Sequence, residues 1–200
     1  MSERTLEVFF DYSSPFAYLG TTQVRRIARA TGTTLIYRPF LLGALFKEIG
    51  TPMVPVATFP EPKRRNVTVD LQRWAEWWRV PYRFNTHFPL RTVDPLRLTL
   101  LAPTEKVPDL VDALMAAYWG HNRPASPEVL QDVAKRLGLD PALLDAMKSP
   151  EARQLLNDAT AEAISRGVPG APTFFLTGVG DDEPFWGQDR LPMIESLLSA

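Results

Sequence analysis

Residues 5–11, TLEVFFD, form a run of β-branched and aromatic side chains closed by a polar group, which predicts a short buried strand. From Pro15 to about Ala30 the spacing becomes helical, with Leu19, Gln23 and Ile27 in register and Val24 and Ala28 beside them. Gly32 follows, where a helix C-terminus favours glycine. Residues 34–38, TLIYR, predict a second strand, so the chain opens as a βαβ unit. The middle changes character. Val67, Leu71, Trp74 and Trp78 fall three or four residues apart in Lys63–Arg79. Shorter amphipathic stretches follow at Leu96–Leu101, Leu110–Tyr118, Val129–Leu137 and Leu155–Ala163. The end returns to strands: Thr173–Thr177, then Glu183–Trp186 after a loop at Gly178–Asp182, with a closing helix over Asp189–Leu198.

The order is βαβ, an all-helical block, then ββα. The two ends must pair into one sheet covered by helices, with the block packed over one side. This predicts an α/β chain with a thioredoxin-like fold: residues 1–60 and 166–200 as the sheet-bearing part, residues 61–165 as a helical insertion domain.

Composition narrows the chemistry. The 200 residues are 45% hydrophobic and 22% charged, with net charge −1, which suits a folded core and gives no general grip on nucleic acid. No apolar run approaches the ~18 residues that a membrane span needs, and the N-terminus, with Glu3 and Glu7, lacks a signal-type stretch. We therefore expect a cytoplasmic protein without membrane contact. The chain has no cysteine, so disulfides, thiolate metal sites and a cysteine nucleophile are excluded. His87 and His121 are far apart in sequence and show no metal-ligand spacing, so no metal is expected.

The 19 prolines are about twice the usual ~5% share. Five follow Ser or Asp at the head of a helical segment: Ser14-Pro15, Asp94-Pro95, Ser126-Pro127, Asp140-Pro141 and Ser149-Pro150. A Ser or Asp N-cap accepts an orphan backbone N–H, and proline at the next position loses nothing by lacking one. A cap contributes about 1 kcal/mol, and this alone accounts for Ser14.

Ser14 also has a context. It lies between the first strand and first helix, at the C-terminal edge of the sheet, where open α/β folds gather ligands. A helix N-terminus favours an anion and lowers the pKa of a thiol held there. Because the chain has no thiol, such a thiolate has to come from a ligand. A second feature is Gly167-Val168-Pro169-Gly170-Ala171-Pro172-Thr173-Phe174. Pro172 cannot donate to a ladder, so it begins the strand or occupies a special turn; an ordinary trans bond and a cis Ala171-Pro172 bond both satisfy this. The third is Phe185-Trp186-Gly187-Gln188-Asp189-Arg190-Leu191, where Asp189 is placed to cap the last helix.

Phe10-Asp11-Tyr12 followed by Ser14-Pro15-Phe16-Ala17, then GAPTFF and FWGQDRL, together with FLLGALFKEIG (40–50) and DLQRWAEWW (70–78), resemble the 2-hydroxychromene-2-carboxylate isomerase family. That family belongs with the kappa-class glutathione transferases to the DsbA-like branch of the thioredoxin fold. The resemblance runs over essentially the whole chain. Where thiol oxidoreductases of this branch carry Cys-x-x-Cys, this chain has Ser14 and Ala17, so disulfide exchange is impossible. The resemblance implies that Ser14 stabilises the thiolate of bound glutathione. It implies that Ala171, before a cis Pro172, pairs with the cysteinyl backbone. Gln188 and Asp189 would hold the γ-glutamyl end, with Trp186 and Gly187 shaping that corner. The implied reaction is reversible ring opening of 2-hydroxychromene-2-carboxylate to trans-o-hydroxybenzylidenepyruvate in aromatic catabolism, by a homodimer.

The chain departs from the family pattern at Gly50-Thr51, where the family tends to show Gly-Asn. It departs again at Phe88-Pro89-Leu90-Arg91, where the family has FP-x-N, and at Ala171, commonly valine. Arg91 supplies a cation for a carboxylate, Lys47 and Asn85 are candidates for substrate polar groups, and Tyr12 and Phe16 flank Ser14 as candidate pocket walls. Trp77 is the indole of its helix expected to be exposed. Two alternatives stay open: a kappa-like glutathione transferase acting on other electrophiles, and a non-catalytic thioredoxin-fold binding protein.

Overall fold

The computed structural model describes residues 4–179 and 183–200; residues 1–3 and part of the loop expected at Gly178–Asp182 lie outside them. Strand β1 (Thr5–Phe10) leads through Ser14 into helix α1 (Pro15–Thr31) and strand β2 (Thr34–Pro39). Helices α2 (Leu42–Glu48), α3 (Glu61–Trp78), α4 (Val93–Leu101), α5 (Val107–Met115), α6 (Pro127–Arg136), α7 (Ala142–Ala146) and α8 (Pro150–Ser165) follow. Strands β3 (Thr173–Thr177) and β4 (Phe185–Trp186) and helix α9 (Leu191–Ser199) complete the chain.

The sheet order is β2-β1-β3-β4. Strand β1 runs parallel to β2, with Thr5 opposite Thr34, and antiparallel to β3, with Val8 opposite Phe174. Five of the six β1 residues are buried, which is why its apolar run is nearly unbroken. Alternation assigns the two faces. Val8 and Phe174 lie on the face covered by α1, where Gly20 gives the helix its close approach: a Cβ there would sit 3.1 Å from the Pro172 ring and 3.3 Å from Phe174. Glu7, Phe9 and Phe175 lie on the other face, under the C-cap of α8. There the Arg166 guanidinium stacks 4.0 Å from the Phe175 ring centre and meets the buried Glu7 carboxylate at 2.7 Å, with Arg38 on its other oxygen at 2.6 Å.

Residues 61–165 carry α3 to α8 and, among the described residues, no strand. One hydrophobic core joins Leu6 and Phe174 of the sheet to Leu110, Leu114 and Trp119 of this helical block. The division of the chain at 60/61 and 165/166 is proposed from this element order. No helix among the described residues is long and apolar enough to cross a membrane.

Ser14, Ser126 and Ser149 cap α1, α6 and α8, each followed by proline. Asp140, expected as a cap, lies two positions before α7, whose N-cap is Pro141, and still accepts the Ala142 N–H at 2.9 Å. Two other expected caps are corrected. Helix α4 begins at Val93, so Asp94 lies in its first turn, and the N-cap Thr92 makes no cap bond because its hydroxyl is directed at Asp11, 2.6 Å away. Asp189 lies within a single 3₁₀ turn, Gln188–Arg190, and α9 starts after it with Arg190 at the N-cap. Helices α2 and α7 escaped the periodicity reading because seven and five residues give no repeat to detect. Two X–Pro bonds are cis, Ala171-Pro172 and also Phe88-Pro89, which the sequence reading did not single out.

Candidate functional site

Ser14 and Ala171 lie 157 positions apart in sequence and meet at the C-terminal end of β1. The Ser14 hydroxyl accepts the Ala17 N–H at 3.1 Å and donates to the Ala171 carbonyl at 2.8 Å. Both residues are largely buried, so this contact is held in low-dielectric surroundings. The first turn of α1 has few free donors. Pro15 has no N–H, Ala17 serves Ser14 Oγ, and the Tyr18 N–H reaches the Ser14 carbonyl at 3.1 Å. The Phe16 N–H is left, and among the described residues it makes no hydrogen bond; neither does the Ala171 N–H. Phe16, two residues after Ser14, and Ala171, whose carbonyl Ser14 holds, thus each keep a backbone donor without a hydrogen bond, near the positive end of a 17-residue helix. Phe16 itself is half-buried, beside them.

Beyond Ala171, the Gly187 N–H donates to the Pro172 carbonyl at 3.0 Å and ties β4 to this corner. Trp186 is 58% exposed, yet one edge of its indole covers Gly170 so closely that a Cβ there would sit 2.8 Å from Nε1. Gln188 is buried, and Asp189 is exposed, pairing with Arg190 at 3.3 Å. Gly187 has φ 104 and ψ 145, a region closed to other residues, and the Asp189 carboxylate fills the space where its side chain would be. Gly187→Ala should therefore lower stability by about 1–3 kcal/mol and push Asp189 aside. Urea unfolding measures the loss, and an unchanged midpoint would show that the turn relaxes freely.

The remaining candidates separate. Lys47 and Arg91 are exposed and form no ion pair among the described residues, so both cations are available to an anion. Asn85 is 1% exposed and fully engaged: it donates to the Tyr118 and Arg123 carbonyls at 2.7 and 2.8 Å and accepts the His87 N–H at 2.8 Å. It clamps a loop. Tyr12 is corrected from pocket wall to core: it is 0% exposed, its hydroxyl bonds Thr99 and its carbonyl accepts Trp119 Nε1 at 2.8 Å. Trp77 is 77% exposed on α3.

Sequence reading passed over Asp11. Its carboxylate is 1% exposed and accepts three hydrogen bonds, from Ser13 N–H, Thr92 Oγ1 and Leu42 N–H. Burial pushes this carboxyl up from its ordinary value, against the downward pull of those donors. The available signal was an acidic residue closing an apolar strand three positions before Ser14.

A family model described as a DSBA-like thioredoxin domain matches residues 5–199. A 2-hydroxychromene-2-carboxylate isomerase from Sphingobium xenophagum is 32% identical over 98% of this chain and 98% of its own. A glutathione S-transferase kappa 2 from Caenorhabditis elegans is 26% identical, over 99% of this chain and 93% of its own. A solved 2-hydroxychromene-2-carboxylate isomerase structure superposes with a TM-score of 0.82 at 28% identity, covering 96% of this chain and 93% of the other. With a buried serine in place of the thiol at the head of α1 and full-length likeness of this kind, the chain belongs to the DSBA-like thioredoxin family and, within it, to the 2-hydroxychromene-2-carboxylate isomerases.

Proposed function

We propose that this protein is a glutathione-dependent isomerase that interconverts 2-hydroxychromene-2-carboxylate and trans-o-hydroxybenzylidenepyruvate. The observation that carries this reading is the Ser14 hydroxyl at the head of α1, 2.8 Å from the carbonyl of Ala171, with the backbone N–H groups of Phe16 and Ala171 unpaired. These groups fit a peptide-like thiol: a donor and an acceptor on Ala171 for an amide, and a hydroxyl with a helix N-terminus for the sulfur. When bound, glutathione supplies the nucleophilic thiolate that a cysteine-free chain lacks, adding reversibly to the conjugated carbon so that the former double bond can rotate.

The chain's own residues hold and orient. Ser14 keeps the Ala17 N–H as its donor and turns its proton from the Ala171 carbonyl to the sulfur. The Ala171 carbonyl would then be free to accept the amide of a bound glutathione, so the exchange would leave no group unpaired. The Phe16 N–H and the α1 dipole add positive potential at the same point. Gln188 and Asp189 hold the γ-glutamyl end, Trp186 covers that corner, and Lys47 and Arg91 face the substrate carboxylate. The same reading carries a homodimer in aromatic catabolism.

A second reading, a kappa-like transferase acting on other electrophiles, draws on the relatives named glutathione S-transferase kappa and on Thr51 and Arg91. One assay separates the two. The purified protein is incubated with 2-hydroxychromene-2-carboxylate, with and without glutathione, and the absorbance change is followed. Glutathione-dependent turnover is expected. Glutathione binding by calorimetry without turnover would favour the transferase, and no binding would remove both.

A further inference from the structure

We propose that Asp11 is a positioning residue: its buried carboxylate sets the Ser14 turn in register with the two segments that carry Lys47 and Arg91. The proposal rests on the isomerase reading for the roles of those three side chains. The geometry is that of one hub and three spokes. Asp11 Oδ1 accepts the Ser13 N–H at 2.9 Å and Thr92 Oγ1 at 2.6 Å, and Oδ2 accepts the Leu42 N–H at 2.8 Å. Its backbone carbonyl takes the Ser14 N–H at 3.1 Å. Ser13 leads into Ser14. Leu42 is the first residue of α2, and Lys47 lies five residues on, about 7.5 Å along the axis. Thr92 directly follows Arg91. The three spokes come from chain segments 31 and 81 residues removed from Asp11 or adjacent to it.

A carboxylate is an expensive way to fill this space, because a buried charge without partners is strongly unfavourable and an apolar residue is the cheaper filler. What it adds is direction. An ionised carboxylate only accepts, so each of three donors must come to it at hydrogen-bond distance and angle. The segments have other ties: Phe40 N–H to the Phe10 carbonyl at 3.1 Å, Leu41 N–H to Thr160 Oγ1 at 3.1 Å and Tyr12 to Thr99 of α4 at 2.7 Å. These are separate pairs, whereas the Asp11 carboxylate joins all three segments at one group. A displacement of about 1 Å between reacting groups reduces rate by about 100-fold.

Asp11→Asn is the selective probe. The amide oxygen still serves Ser13 and Thr92, while the amide nitrogen presents a donor to the Leu42 N–H and loosens the first turn of α2, which keeps the Phe40 and Leu41 ties just before it. In folded Asp11→Asn, with the helical circular dichroism of the wild type, the ultraviolet thiolate absorbance of bound glutathione should be kept. The kcat/KM for 2-hydroxychromene-2-carboxylate should fall by about 10- to 100-fold. A purely structural role would lower the melting temperature and leave this split unmoved, so unchanged kcat/KM in the folded variant overturns the proposal. Thr92→Val conserves volume, frees the Arg91 segment alone and guards against an Asp11→Asn that does not fold: a fall in kcat/KM supports the proposal and wild-type kcat/KM overturns it. Failure of the isomerase reading looks different, since the wild type itself would then show no turnover. Amide hydrogen exchange at Leu42, faster in Asp11→Asn, reads the tie without any substrate.

Discussion

Ser14→Ala should lower kcat/KM by about 10- to 100-fold at neutral pH, and the loss should fade as the pH is raised. A charge-assisted hydrogen bond is worth about 1.5–3 kcal/mol, and each 1.36 kcal/mol is one unit of pKa. Removing the hydroxyl therefore raises the pKa of the bound thiol by about 1–2 units, starting from the ~8.5 of a free thiol lowered by the site. The thiolate fraction at neutral pH falls by the same factor. The acid limb of the kcat/KM profile should move up by those 1–2 units, with wild-type and variant rates converging in alkali. Stability falls too, because the Ala17 N–H loses its cap and the Ala171 carbonyl its donor; together these amount to about 2 kcal/mol. The two losses separate by pH, since neither the cap nor the carbonyl bond titrates in that range. An acid limb that stays in place while activity falls uniformly would make Ser14 a structural cap only.

How much of this was legible beforehand differs between fold and site, for physical reasons. Strands β1 and β3 stood out because burial on both sides makes them near-continuous apolar runs, and α1 because a 17-residue helix repeats its pattern several times. Ser14 was legible through its cap position, and Ala171 through the proline after it. What stayed hidden were contacts between distant segments. Asp11 reads as a strand-ending acid, and nothing local reveals that Thr92 and Leu42 converge on it. The Asp94 cap fails on a related point: the Asp-Pro pattern is local, whereas α4 starts one residue earlier, at Val93, with the Thr92 hydroxyl directed to the distant Asp11. Asn85 shows the reverse error. A polar residue between apolar stretches looks available to a ligand, and only the folded loop shows its amide already engaged.

Asn85→Ala is the decisive variant for that distinction, and it should lower stability by at least about 3 kcal/mol. Three hydrogen bonds disappear, each worth about 1 kcal/mol net, and the Tyr118 and Arg123 carbonyls and the His87 N–H lose a partner. The Tyr118 bond is in the buried interior, where an unsatisfied group costs about 1–3 kcal/mol. The damage reaches the packing because Tyr118 sits in the π-helical turn Ala116–Gly120 that also places Trp119, whose indole N–H holds the Tyr12 carbonyl next to the Ser14 turn. Asn85→Asp keeps the shape and sharpens the test. An ionised carboxylate would face two carbonyl oxygens, so its pKa in the folded protein is raised above that of the unfolded chain. Between those two values the folded state holds a proton that the unfolded state has released, so stability falls as pH rises. Asn85→Asp should thus be weaker than the wild type at neutral pH and recover partly in mild acid, by urea unfolding. Below its melting transition Asn85→Ala should bind glutathione as the wild type does, with an unchanged KM for the aromatic acid. Wild-type stability with a raised KM would reverse the assignment and make Asn85 a substrate ligand.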